Sequence, residues 1–119
     1  MARVALLCPD LMFGSKVEEA LRGAGHYVTR YDGEDMARAA IEESDVLVVD
    51  LTADQFDAAS LVESMKMGRE LDGTPTVGFY PHVDQETRRR ATEAGYDVVV
   101  PRSKMARDTA AVVEGALAS

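Results

Sequence analysis

Short apolar runs alternate with longer amphipathic segments five times along the chain. The apolar runs are rich in branched residues and bounded by polar turn residues, which is typical of strands buried on both faces of a parallel sheet. The longer segments carry apolar residues at helical spacing, and several of them end at a glycine. This alternation predicts strands at 3–8, 27–31, 44–50, 75–80 and 97–100, and helices at 13–24, 34–42, 56–71, 84–94 and 106–117.

Five strands joined by crossover helices predict an α/β fold of the flavodoxin-like (βα)5 kind. Because such crossovers are right-handed, we expect a doubly wound parallel sheet in the order 2-1-3-4-5, with helices on both faces. The length of 119 residues suits a single domain, 1–119, and no Gly-x-Gly-x-x-Gly follows the first strand, which argues against a dinucleotide-binding fold. A site in such a sheet is expected at the carboxyl ends of the first and third strands.

The charge balance narrows the classes of function. With 13 basic and 21 acidic residues, the formal net charge of -8 argues against binding to nucleic acid or to an anionic membrane. No apolar run approaches the roughly 18 residues of a membrane span, and the amino terminus lacks the layout of a secretory signal. The single cysteine, Cys8, cannot form an internal disulfide. We therefore expect a cytoplasmic protein.

Asp50 closes the apolar run of the third strand and so places a carboxylate at the carboxyl edge of the sheet. The end of the first strand brings Cys8, Pro9 and Asp10 to the same edge. Asp50 has three interpretations: a reactive group, a partner in an ion pair, or a cap for the following helix. Cys8 is a candidate nucleophile or redox group, but acidic neighbours raise the pKa of a thiol and favour a buried, unreactive side chain.

Three segments at strand positions carry a resemblance to a known family. Residues 44–50, Ser-Asp-Val-Leu-Val-Val-Asp, are similar to the segment that ends in the phospho-accepting aspartate of bacterial response regulator receiver domains. Residues 94–100 are similar to the Ala-Gly-Ala-Asp turn that enters the family's fifth strand, and residues 75–80 are similar to its fourth strand. The resemblance covers nearly the whole chain and is strongest to divergent pseudo-receivers. It implies two-component signalling or a phosphorelay, with Asp50 as the candidate phospho-acceptor.

The chain departs from that family at the metal-binding positions. Typical receivers carry an acidic pair after the first strand, which holds a magnesium ion together with the phospho-accepting aspartate. Here Cys8 and Pro9 stand at that place, and only Asp10, one position later, supplies a carboxylate. Asp10 and Asp50 are therefore a weak candidate pair for Mg2+. We expect no cofactor, with Mg2+ involved only if Asp50 is phosphorylated.

The phosphate-contacting positions also depart from the family. Tyr80 stands where typical receivers end the fourth strand with Thr or Ser, Arg102 replaces the phosphate-binding lysine, and Ser103 replaces the proline after it. Lys104 lies two residues further on. The sequence leaves open whether Arg102 or Lys104 faces Asp50.

Two further groups of residues are candidates for function. His82 follows the fourth strand and is a candidate at the rim of the site, although a loop histidine is more often solvated or starts a helix. By resemblance, the face made by the fourth helix, the fifth strand and the fifth helix contacts partners. The candidate residues on that face are Arg88, Arg89, Tyr96 and Lys104.

These features favour a stand-alone pseudo-receiver, which acts in signal transduction through protein-protein interaction and is not an enzyme. The expected partner is a signalling protein, such as a histidine kinase or an output protein, and homodimerisation is an alternative. A second interpretation is an atypical response regulator phosphorylated on Asp50. A third is a small flavodoxin-like enzyme or ligand-binding protein whose cleft contains Cys8, Asp10, Asp50 and His82.

Overall fold

Five parallel strands form the centre of the molecule, and the computed structural model describes residues 1–81 and 83–119. The strands are β1 (Arg3–Leu7), β2 (Tyr27–Tyr31), β3 (Val46–Asp50), β4 (Thr76–Tyr80) and β5 (Val98–Pro101). They pair in the order β2-β1-β3-β4-β5, which confirms the predicted doubly wound arrangement. The carboxyl ends of β1 and β3 therefore lie side by side.

Helices cover both faces of the sheet. They are α1 (Leu11–Gly23), α2 (Glu34–Ala39), α3 (Ala58–Met67), α4 (Gln85–Ala94), α5 (Arg102–Arg107) and α6 (Thr109–Ala118), with a 3-10 turn at Ile41–Glu43. One core layer packs α1, α5 and α6 against the sheet, and the other packs α2, α3 and α4. Successive side chains of each strand alternate between these layers. Among the residues described, no helix has the length and apolar character needed to cross a membrane.

Aspartates cap three of the helices. The side chains of Asp10, Asp57 and Asp84 each accept a hydrogen bond from the backbone N–H three residues later, at 3.1, 3.0 and 3.0 Å. Such caps satisfy N–H groups that have no partner inside the helix. They set the observed starts of α1, α3 and α4, which differ by one or two residues from the predicted starts at 13, 56 and 84.

The last part of the chain differs from the predicted single helix at 106–117. α5 begins at Arg102, directly after Pro101, whose extended conformation (φ -65, ψ 153) leads into the helix without a loop. Asp108 then interrupts the helical path, since its φ of -122 and ψ of 37 are not helical, and α6 follows. The segment 102–104, which lies between the predicted strand at 97–100 and the predicted helix at 106–117, is therefore the first turn of a helix.

Candidate functional site

Asp50 is the last residue of β3 and lies at the carboxyl edge of the sheet with only 2% of its surface exposed. Its Oδ1 accepts hydrogen bonds from the backbone N–H of Thr52 at 3.2 Å and from the Thr52 hydroxyl at 3.3 Å. Its Oδ2 accepts a hydrogen bond from Arg102 Nη2 at 3.0 Å. Both carboxylate oxygens are therefore bound by groups of the same chain.

Arg102 joins the two carboxylates of the site. While Nη2 contacts Asp50, Nη1 lies 3.4 Å from Asp10 Oδ2, so one guanidinium spans the ends of β1 and β3. Its Cζ lies 4.7 Å from the centre of the Phe13 ring and 5.8 Å from that of Phe79, distances typical of cation–π contacts. The centroids of the two rings are 5.0 Å apart, so the guanidinium contacts a pair of packed aromatic rings. Arg102 Nε is buried and has no hydrogen-bond partner among the described residues.

The start of α5 determines which basic residue reaches Asp50. Arg102 is the first residue of that helix, and its side chain is 31% exposed and turned to the site. Ser103 and Lys104 follow in the same turn and are exposed. Arg102, and not Lys104, therefore contacts Asp50. Successive residues of a helix point in different directions, and the fully buried Met105 fixes which side of α5 faces the core.

Asp10 has a structural role beside its contact with Arg102. Its carboxylate caps α1 by accepting from the backbone N–H of Phe13, and this bond, followed by the charge of Arg102, holds the pKa of Asp10 below its usual range. The side chain is exposed, in contrast to the buried Asp50. The two carboxylates therefore differ in both solvation and partners.

Cys8 lies at the same edge but is fully buried. Its Sγ is 3.6 Å from the carbonyl oxygen of Asp10 and 3.9 Å from Asp50 Oδ2. Burial, and after it the charge of Asp50, raises the pKa of the Cys8 thiol to about 12. At neutral pH this group is a protonated thiol, which is a poor nucleophile and a poor metal ligand. The geometry gives no support to an enzyme cleft built on Cys8.

Tyr80 lies in the core layer opposite to that of Asp50 and Arg102. It is 3% exposed and packs in the layer of α2, α3 and α4, whereas its neighbour Phe79 faces the site. The predicted contact between Tyr80 and a phosphate at this rim is therefore not available in this conformation. His82, the other rim candidate, lies outside the described residues.

The predicted partner face is exposed in part. Arg88 and Arg89 are exposed on α4, and Arg89 forms ion pairs with Glu86 and Glu93 of the same helix. Tyr96 is only 5% exposed, and its hydroxyl donates a hydrogen bond to the carbonyl oxygen of Ala58 at 2.9 Å. Tyr96 thus belongs to the core and cannot serve as an exposed contact, which corrects its place in the predicted face.

The sequence prediction missed three residues that complete the site. Phe13 and Phe79 support the guanidinium of Arg102, and Thr52 holds Asp50. A signal existed for two of them, Phe79 and Thr52. Phe79 pairs with Asp50 in the parallel register, so both side chains point to the same face. Thr52 follows Asp50 by two residues, the spacing at which an aspartate commonly accepts from the backbone.

Solved structures that share this fold include receiver domains of response regulators. The chain matches the CheY-like response regulator receiver domain protein from Methanospirillum hungatei JF-1 with a TM-score of 0.83 and 17% identity, over 99% of this chain and 94% of that one. It matches the receiver domain of the Francisella response regulator 1452 with a TM-score of 0.85 and 16% identity, over 99% and 98%. The BeF3-activated DrrB receiver domain gives 0.83 and 22%, over 100% and 99%.

The comparison establishes the fold of this chain as that of a response regulator receiver domain, which is flavodoxin-like and CheY-like. No protein-family profile matches the chain, and no curated protein matches it significantly.

The residues at this edge do not fit the magnesium ion of typical receivers. Mg2+ requires oxygen ligands in near-octahedral geometry. The carboxylates of Asp10 and Asp50 are both in contact with Arg102, and the neighbouring Cys8 offers a protonated thiol. Within residues 1–81 and 83–119, no group of three or more His, Cys, Asp or Glu side chains is arranged to hold a metal ion. The cation in this site is the guanidinium of Arg102.

Proposed function

We propose that this chain is a pseudo-receiver, which acts in signal transduction by binding another protein and does not depend on phosphorylation of Asp50. The observation that carries the proposal is the state of the Asp50 carboxylate. It is 2% exposed, with one oxygen held by Thr52 and the other by Arg102. The receiver fold supports a signalling role, and the engaged carboxylate supports the loss of phosphoryl acceptance.

Formation of an aspartyl phosphate requires a carboxylate oxygen to attack phosphorus in line with the leaving group, while a metal ion neutralises the developing charge. In this site the attacking oxygen has to leave either Arg102 or Thr52, and Asp50 has to become accessible. The donor set around Asp50 and Asp10 also does not suit Mg2+. These two obstacles act on the same step, so we expect no phosphoryl transfer at Asp50.

The α4–β5–α5 face is the partner surface that we favour. Arg88 on α4 and Lys104 on α5 are exposed, and neither forms an ion pair within the described residues. Arg89 is already paired within its own helix, so we expect it to contribute less. Two uncompensated cations on a protein of net charge -8 fit a partner that presents carboxylates.

The loss of phosphoryl acceptance can be tested by amide NMR with Mg2+ and beryllofluoride, which mimics an aspartyl phosphate. We expect no site-centred shifts at residues 8–10, 50 and 102–104 in the native protein. The Asp50→Ala variant serves as the control. Shifts that occur in the native protein and disappear in Asp50→Ala would show that Asp50 accepts the mimic, and the proposal would then be wrong.

The binding role can be tested with charge-reversed variants in a capture assay from extracts of the source cells. Arg88→Glu and Lys104→Glu should each reduce capture of the partner by at least about fivefold, because a cation becomes an anion opposite the partner's carboxylates. Lys16→Glu makes the same charge change at an exposed position on α1 and should leave capture unchanged, as should Asp50→Ala. Equal losses in all four variants, or none in the first two, would contradict this face.

A further inference from the structure

The sheet ends at β2 with an open edge. Within the part of the chain that the structure describes, β2 pairs with β1 on one side and with no strand on the other. An edge strand presents unpaired backbone N–H and C=O groups, which proteins commonly protect with a proline, a bulge or a covering segment. β2 contains no proline, and its five residues pair with β1 in continuous register, without a bulge. The other edge strand, β5, ends in Pro101.

The backbone groups at this open edge belong to Val28 and Arg30. The N–H of Tyr27 and the carbonyl oxygen of Tyr31 are hydrogen-bonded on the β1 side, at 2.9 and 3.0 Å. Since the backbone groups of successive strand residues point to opposite sides, Val28 and Arg30 turn theirs away from β1. Arg22 Nη2 donates to the Val28 carbonyl oxygen at 3.1 Å, but the Arg22 side chain is 59% exposed, so a backbone donor from an incoming strand can replace it.

One face of β2 carries side chains that suit a further strand. Tyr27, Thr29 and Tyr31 point to the layer of α2 and line a groove of about 340 Å³. The short helix α2 leaves this groove open, and Tyr27 is 63% exposed although it is a large aromatic residue. Aromatic pairs and threonine pairs are favourable when they lie directly opposite each other on antiparallel strands.

The order of residues in β2 makes the edge complementary to itself. The strand reads Tyr-Val-Thr-Arg-Tyr, which is nearly symmetric about Thr29. Antiparallel pairing with a second copy about Thr29 puts Val28 of each copy opposite Arg30 of the other, so that the outward backbone groups form hydrogen-bonded pairs. Tyr27 of each copy then lies opposite Tyr31 of the other, in the pair where side chains approach most closely.

The charges beside the edge allow two identical surfaces to meet. The whole chain has a net charge of -8, which opposes self-association. At the edge, however, Arg22 pairs with Glu18 at 2.9 Å and Arg30 pairs with Asp32 at 2.5 Å. Two arginines and two carboxylates compensate each other there, so contact between two β2 edges brings no local excess of one sign together.

We propose that the β2 edge is a self-association surface, at which a second copy of the chain extends the parallel sheet through antiparallel β2–β2 pairing about a two-fold axis at Thr29. Such an interface is isologous, because the same patch of both copies forms it. β2 and β5 lie at opposite ends of the sheet. The pairing therefore leaves the α4–β5–α5 face free, and the inference goes beyond the proposed function without depending on it.

Sedimentation velocity tests the proposal at about 0.15 M salt, which screens charges beyond about 8 Å. For the native protein, the dimer fraction should rise with concentration. Thr29→Lys places two ammonium groups opposite each other at the axis and should weaken the dimer at least about tenfold. Thr29→Val keeps a β-branched side chain and should associate like the native protein. Ser60→Lys makes the same charge change at an exposed position on α3 and should also behave like the native protein. A native protein that stays monomeric up to about 1 mM, or equal losses in Thr29→Lys and Ser60→Lys, would overturn the proposal.

Disulfide trapping tests the register, with copper phenanthroline as the oxidant. Residues opposite each other at the axis have Cα atoms about 4.5 Å apart, within the range of about 4.4 to 6.8 Å that a disulfide spans. Thr29→Cys should therefore form covalent dimers at least about tenfold faster than Ser60→Cys, where the new thiol lies on α3. The native protein is the blank, since Cys8 is fully buried. Equal rates for the two variants would reject pairing about Thr29 and would leave the α4–β5–α5 partner surface unaffected.

Discussion

Cys8 illustrates how strongly one buried position changes the chemistry of a side chain. Its pKa rises from 9.0 to about 12, first because of burial and second because of Asp50. At a pH between these two pKa values, the Cys8 thiol loses its proton in the unfolded chain and keeps it in the folded chain. The free energy of unfolding should therefore fall as pH rises above about 9, by on the order of 1 to 3 kcal/mol at pH 11.

Urea unfolding between pH 8 and 11 measures this dependence, with Cys8→Ala as the comparison. Other groups also titrate in this range, including Tyr96, whose pKa is raised by burial. For this reason the informative quantity is the difference in slope between the two proteins, and the variant should have the shallower decline. Identical slopes would show that the Cys8 thiol does not contribute.

At the scale of residues, the sequence predicted the position of Asp50 at the edge of the sheet but not which basic residue contacts it. The apolar run that ends in Asp50, and the end of the first strand at Cys8, predict from patterning alone which edge of the sheet carries the site. The choice between Arg102 and Lys104 depended on where the next helix begins. Pro101 carries no side-chain cap that would reveal this start, so the sequence could not decide it.

At the scale of elements, Tyr96 connects the turn after α4 to the first residue of α3. Its buried hydroxyl donates to the carbonyl oxygen of Ala58 at 2.9 Å. Tyr96→Phe removes this bond and keeps the ring, so we expect a loss of about 1 kcal/mol in the free energy of unfolding, measured by urea denaturation. Tyr27→Phe makes the same chemical change at a side chain that is 63% exposed and should stay within about 0.5 kcal/mol of the native protein. Equal effects of the two substitutions would argue against a structural role for the Tyr96 hydroxyl.

The similarity of residues 94–100 to a receiver turn explains why the role of Tyr96 was missed. That similarity predicts the turn correctly, and Gly95 adopts the left-handed conformation, with φ of 111, that ends α4. A typical receiver has a small residue after this glycine, and the larger tyrosine ring here occupies the core beside α3. The order of elements follows from local alternation, but the direction of a single ring depends on contacts between distant elements.

At the scale of the whole molecule, we expect the net charge of -8 to lower the stability of the folded state through repulsion between like charges. The molecule extends over 33 × 33 × 26 Å, so most pairs of like charges are farther apart than the Debye length of about 8 Å at 0.15 M salt. The ion pairs of the described residues join atoms no more than 3.9 Å apart and are screened much less. Added salt should therefore weaken the net repulsion more than the attraction, and the folded state should gain stability.

The expected result is a higher urea midpoint at 150 mM NaCl than at 10 mM NaCl, at pH 7. The substitutions Glu19→Lys and Glu42→Lys, at exposed positions without ion pairs among the described residues, each change the charge by +2, so the double variant has a net charge of -8 + 4 = -4. Its salt dependence should be smaller than that of the native protein, because fewer like charges remain to be screened. A native midpoint that falls with added salt would mean that the short ion pairs, and not the overall repulsion, dominate the electrostatic contribution to folding.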